Sequence, residues 1–246
     1  MGIFKLKQFD LKQTDSLQKM GSDSMLLGAS ITGDYKTILD VGTGTGILAL
    51  MMAQKNVEAD IYAIEPHLES FEEAKFNFNA SKFNNRLSIE HCKLQTFTTD
   101  QKFDLILSNP PYFENSTLGD NVKRNTARHT VNLSISDFYE FNSKLLSETG
   151  ILTLIFPADL LKIHTDIAEK FNLFPIKNIS VVKDNNKAIR HIISYSFNKV
   201  ESIIEDSITI ALSNGRYSDN YIAITKDFYT HDLTTKQTAR NQPKKK

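Results

Sequence analysis

"LDVGTGTGILAL", residues 39–50, decides the fold. Leu39 and Val41 flank Asp40, glycines follow at alternate positions 42, 44 and 46, and an apolar run begins at Ile47. Glycine tolerates left-handed backbone and lets main-chain N–H groups come close to a ligand, while the start of the following helix favours electron-rich groups. A strand that exits through glycines straight into a helix is therefore either a tight turn or the floor of a ligand site.

The surroundings choose between these. Short β-rich runs at 37–41, 60–64, 86–91, 103–107 and 151–156 alternate with helix-like stretches at 47–55, 68–83 and 136–146. Strands spaced by helix-length segments imply βαβ units, hence an α/β, doubly wound, mostly parallel sheet. A helix is expected at 158–171, and strand-like runs at 176–182 and 191–197 should pair as a hairpin that closes the sheet antiparallel. A strand at 207–212 and a last helix in "SDNYIAITKDFY", capped by Ser218, complete the reading. Residues 1–232 are taken as one domain in which 1–36 form a separate lead-in, and 233–246 as a basic, flexible tail. Glu65 ends the second strand of the alternating series, about 20 residues past the glycines, where a carboxylate meets ribose hydroxyls in doubly wound nucleotide sites. Strand, loop, helix, strand and acid in this order favour an adenosyl cofactor over a plain turn with a surface Glu.

The spacing G-x-G-x-G departs from the G-x-G-x-x-G of nicotinamide enzymes. "LDVGTGTG" instead resembles the first motif of class I S-adenosylmethionine-dependent methyltransferases. That resemblance implies a Rossmann-like fold, with Asp40, Gly42, Gly44 and Gly46 beside the methionine part of the cofactor and Glu65 on its ribose. It also places the adenine beside "CKLQ", with Leu94 and Gln95 both open as partners.

A second motif, "SNPPYFEN" at 108–115, follows the run 103–107. Two prolines fix the backbone and remove N–H groups, so the loop is stiff. The exit of this strand lies at the switch point of such a sheet, where ligands gather. "NPPY" there resembles the fourth motif of amino-methyltransferases, which act on adenine, guanine or glutamine amide nitrogen. An exocyclic amine is a poor nucleophile until its hydrogens are held and its lone pair is turned out of conjugation. The side-chain oxygen of Asn109 and the carbonyl of Pro110 can accept those hydrogens, Pro111 helps to fix both, and Tyr112, followed by Phe113, offers a face for a planar base.

Lys123, Arg124, Arg128 and His129 fall in "NVKRNTARHTV" with no acid from 121 to 135. The stretch is either a solvated loop or, beside a site for a nucleic-acid base, a grip on phosphates. A base buried in a duplex cannot reach such a pocket, so the target would be unpaired or flipped. Together "QKMGSDSMLLGAS", "SNPPYF", "TARHT" and "YIAITKDFY" resemble the bacterial tRNA adenine-N(6)-methyltransferases that modify the adenosine 3′ of the anticodon in valine tRNA. The resemblance spans nearly the whole chain and implies that Asp23 and Ser24 lie near the methionine moiety; from the residues alone Asp23 could equally cap a helix. Release-factor glutamine methyltransferases share the "NPPY" loop, but typically carry a helical domain before the glycine loop, where this chain has about forty residues. Ribosomal RNA guanine methyltransferases and a non-catalytic RNA-binding module are further alternatives, the last opposed by intact Asn109 and Tyr112.

Composition excludes other classes. The six histidines (67, 91, 129, 164, 191, 231) and single Cys92 show no metal spacing, so no metal is expected. No G-x-S-x-G or phosphate-binding P-loop pattern occurs, and no run of 18 apolar residues, so hydrolase, phosphoryl-transfer and membrane readings lack support. A cytoplasmic monomer acting on tRNA is the expectation. Charge is balanced at 29 bases and 29 acids, but 233–246 hold five bases and no acid, which leaves a slightly acidic body.

Overall fold

In the computed structural model, residues 2–13, 21–110, 133–182 and 187–234 are described. The chain starts with an antiparallel pair, β1 (Gly2–Lys5) and β2 (Asp10–Gln13), followed by helix α1 (Ser22–Ser30). The alternating series then runs β3 (Thr37–Val41), α2 (Ile47–Lys55), β4 (Asp60–Ile64), α3 (Leu68–Ala80), β5 (Leu87–Glu90), β6 (Phe103–Ser108), α4 (Ile135–Leu145) and β7 (Leu146–Pro157). It ends with α5 (Leu161–Ala168), β8 (Phe174–Val182), β9 (Ala188–Ser196), β10 (Ile204–Thr209) and α6 (Asp219–Thr225).

Eight strands form the main sheet in the order β10-β8-β9-β7-β6-β3-β4-β5. The chain leaves β3 toward β4 and β5, then returns to place β6 on the other side of β3, so the switch point falls between β3 and β6. Of the eight strands only β9 runs against the others, antiparallel to both β7 and β8. The 176–182 and 191–197 runs do form the expected hairpin, but it does not close the sheet: β10 adds outside β8 and parallel to it, covering that edge.

Strand alternation splits the core in two. Ile38, Leu105, Leu107 and Ile155 point to the face covered by α1 and α2, whereas Leu39, Val41, Ile106, Leu154 and Phe156 point to the α4 and α5 face. Helix α2 is buried all round from Ile47 to Ala53, because it lies between the sheet and α1. Helix α1 is buried from Ser24 to Ser30, so the lead-in is part of the core. Gly28 makes that possible: a Cβ there would sit 2.7 Å from the Met51 side chain. At the C-terminal end of α1 the Lys55 ammonium donates to the carbonyls of Gly28, Ala29 and Ile31, which supplies partners for carbonyls the helix itself leaves open.

Several boundaries differ from the sequence reading for local reasons. Helix α3 ends at Ala80 because the Ser81 hydroxyl donates to the Phe78 carbonyl and accepts from Phe83 N–H. A 3-10 turn at Asn84–Arg86 then shortens β5, and the Arg86 guanidinium reaches the carbonyls of Ala53, Asn56 and Ala59. Strand β7 starts five residues early, at Leu146, pairing with Phe103 across an irregularity in register. Gly150 is needed there, since a Cβ would meet the Phe103 carbonyl at 2.7 Å. Helix α6 is capped by Ser218 as expected, its hydroxyl accepting from Tyr221 N–H. Leu233 is buried, so ordered packing continues past 232. No helix among the described residues is long and apolar enough to cross a membrane.

Candidate active site

The glycine loop leaves β3 held to β4: the N–H groups of Gly42 and Thr43 both donate to the Ile64 carbonyl, at 2.9 and 3.1 Å. Gly42, Gly44 and Gly46 have φ of 71°, 58° and 86°, conformations that residues with a Cβ rarely adopt. Their surroundings separate them. A Cβ on Gly42 or Gly44 would meet nothing within 4 Å, whereas one on Gly46 would lie 2.5 Å from the Phe78 ring. Gly42 and Gly44 thus border open space, and Gly46 is a packing glycine that lets α3 close on the start of α2.

Two carboxylates organise the loop. Asp40 is fully buried; its Oδ2 accepts from the Thr43 hydroxyl and from Ala49 N–H, joining the strand end to the first turn of α2. Its Oδ1 is buried with no hydrogen-bond partner among the described residues. Burial pushes the Asp40 carboxyl up to about 7, against the two hydrogen bonds and with nearby Glu65 adding to the rise. Glu65 follows β4 directly and is also buried; its Oε2 accepts from Gly44 N–H at 2.8 Å and its Oε1 from His67 N–H at 3.0 Å. The predicted ribose carboxylate therefore already holds the glycine loop in shape.

Past β5, a 3-10 turn spans Leu94–Thr96. Leu94 is buried in the α4-side core. The Gln95 side-chain oxygen is buried without a hydrogen-bond partner among the described residues. Of the two positions left open for the adenine, Leu94 offers an apolar surface and Gln95 an unused acceptor.

On the other flank, the register Asp40↔Leu107 runs β6 alongside β3, and the Ser108 hydroxyl donates to the Val41 carbonyl at 2.8 Å. Asn109 and buried Pro110 come next, so Asn109 and Glu65 leave the two strands that flank β3. The Asn109 amide nitrogen donates to the Ser24 hydroxyl at 2.9 Å, which brings the start of α1 to the exit of β6. Asp23 is not the cap of α1: the N-cap is Gly21, without a side-chain bond. Instead the Asp23 carboxylate pairs with Arg190 of β9 at 2.9 Å. Pro111, Tyr112, Phe113, Lys123, Arg124, Arg128 and His129 lie outside the described residues.

The structure thus gathers Ser24, Gly42, Gly44, Glu65 and Asn109 around the C-terminal ends of β3, β4 and β6. Sequence reasoning missed Arg190, which sits in "NKAIRHII" without any motif, and the tie made by Ser108. A lone arginine near the start of a strand run, just before the apolar pair Ile192 and Ile193, was the available signal.

Comparison with known proteins agrees with this arrangement. The family model of the methyltransferase small domain matches residues 15–173. A protein of Pseudoalteromonas translucida named tRNA1(Val) (adenine(37)-N6)-methyltransferase is 35% identical over 231 residues, covering 93% of this chain and 99% of the relative. Its namesake in Flavobacterium johnsoniae is 36% identical over 233 residues, covering 92% and 99%. Among solved structures, a protein of Agrobacterium tumefaciens described as a predicted O-methyltransferase superposes with a TM-score of 0.64 at 16% identity, over 83% of this chain and 96% of that one. A methyltransferase of Pyrococcus furiosus gives 0.57 at 21%, over 78% and 90%. The shared fold, and identity over nearly the full length of both relatives, place the chain in the methyltransferase small domain family, among the tRNA1(Val) (adenine(37)-N6)-methyltransferases.

Proposed function

We propose that the enzyme methylates the exocyclic amino group of an unpaired adenine in tRNA, the adenine at position 37 of tRNA1(Val), with S-adenosylmethionine as donor. The observation that carries this reading is the placing of Asn109 at the exit of β6, on the strand beside the glycine loop, with its amide nitrogen already committed to Ser24. The residues fit the donor: Gly42 and Gly44 leave room that a Cβ would fill, and Asp40 and Gln95 each keep a buried oxygen without a partner among the described residues. Gly42 and Gly44 would pass under the methionine part, Glu65 would take the ribose, and Gln95 would accept from the adenine amino group. When bound, S-adenosylmethionine supplies an activated methyl group on its sulfonium.

Everything else falls to the protein. The Asn109 Oδ1 accepts one hydrogen of the target amine and the Pro110 carbonyl the other, which draws the nitrogen out of conjugation and turns its lone pair toward the donor. As the nitrogen becomes tetrahedral and positive, both oxygens face a growing ammonium, so they bind the transition state better than the ground state. No general base is needed before transfer, because the acidified ammonium gives up its proton afterwards. Positioning of the two reactants supplies most of the acceleration, on the order of 7–11 kcal/mol. Tyr112 would stack on the base, and Lys123, Arg124, Arg128 and His129 would hold the phosphates around it.

The test is transfer of labelled methyl groups to unmodified total tRNA, followed by nucleoside analysis and mapping. N6-methyladenosine at position 37 of valine tRNA is the expected product; label in guanine, at another position, or nowhere in the tRNA would overturn the assignment.

A further inference from the structure

We infer that Ser24 is a positioning residue for Asn109, and that the Asp23–Arg190 ion pair holds Ser24 where it can act. The inference rests on the reading of Asn109 as the acceptor for the target amine. A carboxamide has one accepting and one donating end, and only its oxygen can face an amino group productively. Rotated by half a turn, Asn109 would point its own N–H groups at those of the substrate. In the structure the nitrogen faces the partner on the far side, donating to the Ser24 hydroxyl at 2.9 Å, and this arrangement leaves the oxygen for the substrate.

Such a partner is useful only if it cannot move, and α1 is fixed along its length. Ser24 itself is 9% exposed. Gly28 sits tightly against Met51, and Lys55 grips the carbonyls at the end of the helix. At its start, Asp23 Oδ2 accepts from Arg190 Nε at 2.9 Å, with both side chains largely sheltered. Arg190 stands on β9 opposite Pro157 of β7, and β7 is the neighbour of β6. Sheet, arginine, aspartate, helix, serine and asparagine thus close a ring around the exit of β6. In the ring one carboxylate oxygen of Asp23 and the hydroxyl of Ser24, both expected near the methionine moiety, face Arg190 and Asn109.

The experiment measures single-turnover methyl transfer across a series of unmodified tRNA concentrations, cofactor affinity by calorimetry and thermal unfolding for Ser24→Ala, Ser24→Thr, Asn109→Ala, Arg190→Ala and the double variant Ser24→Ala/Asn109→Ala. Loss of the hydrogen bond that orients Asn109 should slow transfer by about ten-fold in Ser24→Ala, with cofactor affinity and the tRNA concentration for half-maximal rate near wild type. Ser24→Thr keeps the hydroxyl and should restore the rate. In the Asn109→Ala background the Ser24 change should cost nothing further, because its effect passes through the missing amide. Arg190→Ala should give a smaller loss of the same kind. A Ser24→Ala enzyme of normal rate, a loss that persists undiminished without Asn109, or a loss confined to cofactor affinity would each overturn the inference. Ordinary turnover in Asn109→Ala is a separate result: it would remove the reading of Asn109 itself, and the inference with it.

Discussion

The two flanks of β3 are built on different scales. On the β4 side the two carboxylates make local contacts: Asp40 bonds to Thr43 and Ala49, three and nine residues away, and Glu65 to Gly44, 21 residues back. On the β6 side, Asn109 is held by Ser24 across 85 residues, and Ser24's neighbour Asp23 by Arg190 across 167. The proposed cofactor cradle is built mainly from the segment β3 to β4, while the proposed catalytic exit borrows its geometry from residues far away in the chain. A cradle of this kind can serve many reactions unchanged, whereas the exit is where a particular chemistry is specified.

The largest effect that can test this division is at the exit. Asn109→Ala removes an acceptor that counts most as charge develops, so turnover should fall by about 10²–10³-fold while calorimetric cofactor affinity stays near wild type. Parallel loss of both would mean that the two flanks are one site. Within the cradle, the glycines should split. Gly46→Ala forces a methyl onto Phe78 as well as into a left-handed backbone, and should cost about 3–4 kcal/mol in urea unfolding. Gly44→Ala meets no atom, should cost only about 1–2 kcal/mol, and should show itself mainly as weakened cofactor binding. Equal stability losses would erase the distinction between packing and ligand glycines.

Acidity probes the cradle alone. The folded Asp40 carboxyl stands at about 7, above its unfolded value of about 3.9, so its protonated form favours the fold at low pH. That contribution is present below about pH 4 and is lost as pH rises through 7, by about 4 kcal/mol over the window. His164 runs the other way: burial lowers it to about 4, so it stabilises above the unfolded value of about 6.5 and the contribution is lost as pH falls toward 4. The readout is therefore the difference between wild type and Asp40→Asn across pH 4–8, since the substituted carboxamide does not titrate and His164 is common to both. Identical curves would show that Asp40 is ionised throughout.

The smallest effect lies outside both flanks. Leu233 is buried, so the informative deletion is 235–246, which carries all five terminal bases. It should lower the salt dependence of tRNA binding by at most about 3.5 units of slope, at about 0.7 per phosphate met, and leave maximal turnover unchanged. Superimposable salt series would make the tail a bystander and sharpen the claim that the flanks of β3 suffice.

The same division of scale governs what the sequence makes legible. β3, α2 and β4 match the sequence boundaries residue for residue, and Glu65 stands where spacing places it, because turn chemistry and strand period are local. The burial of α1 is legible only in part: "SMLLGAS" is apolar or small at every position, a pattern of a helix enclosed on all sides, yet its distance from the glycines makes it look detached. Arg190 cannot be paired with Asp23 by any pattern, since strand order decides what faces what. The strand run at 207–212 places β10 three residues late and says nothing of its position beside β8, for a strand's sequence does not name its neighbour.

The ends of the described chain also meet. Leu6 bridges to Tyr229, Lys7 N–H donates to the Phe228 carbonyl, and the Phe4 and Tyr229 rings contact edge to face. During synthesis, then, the first hairpin leaves the ribosome without its partner, and roughly 10–40 s pass at bacterial elongation rates before residue 229 is made. Arg190 is itself a late arrival. The nascent chain can assemble the glycine loop early, so that an adenosyl group could lodge there, but Asp23 stays unlatched until residue 190 is made, and Leu6 and Phe4 lack their partners until residue 229 is made. A chain cut short before residue 229 would keep Phe4 and Leu6 uncovered, and that exposed apolar surface would make it a substrate for the proteases that clear unfinished proteins.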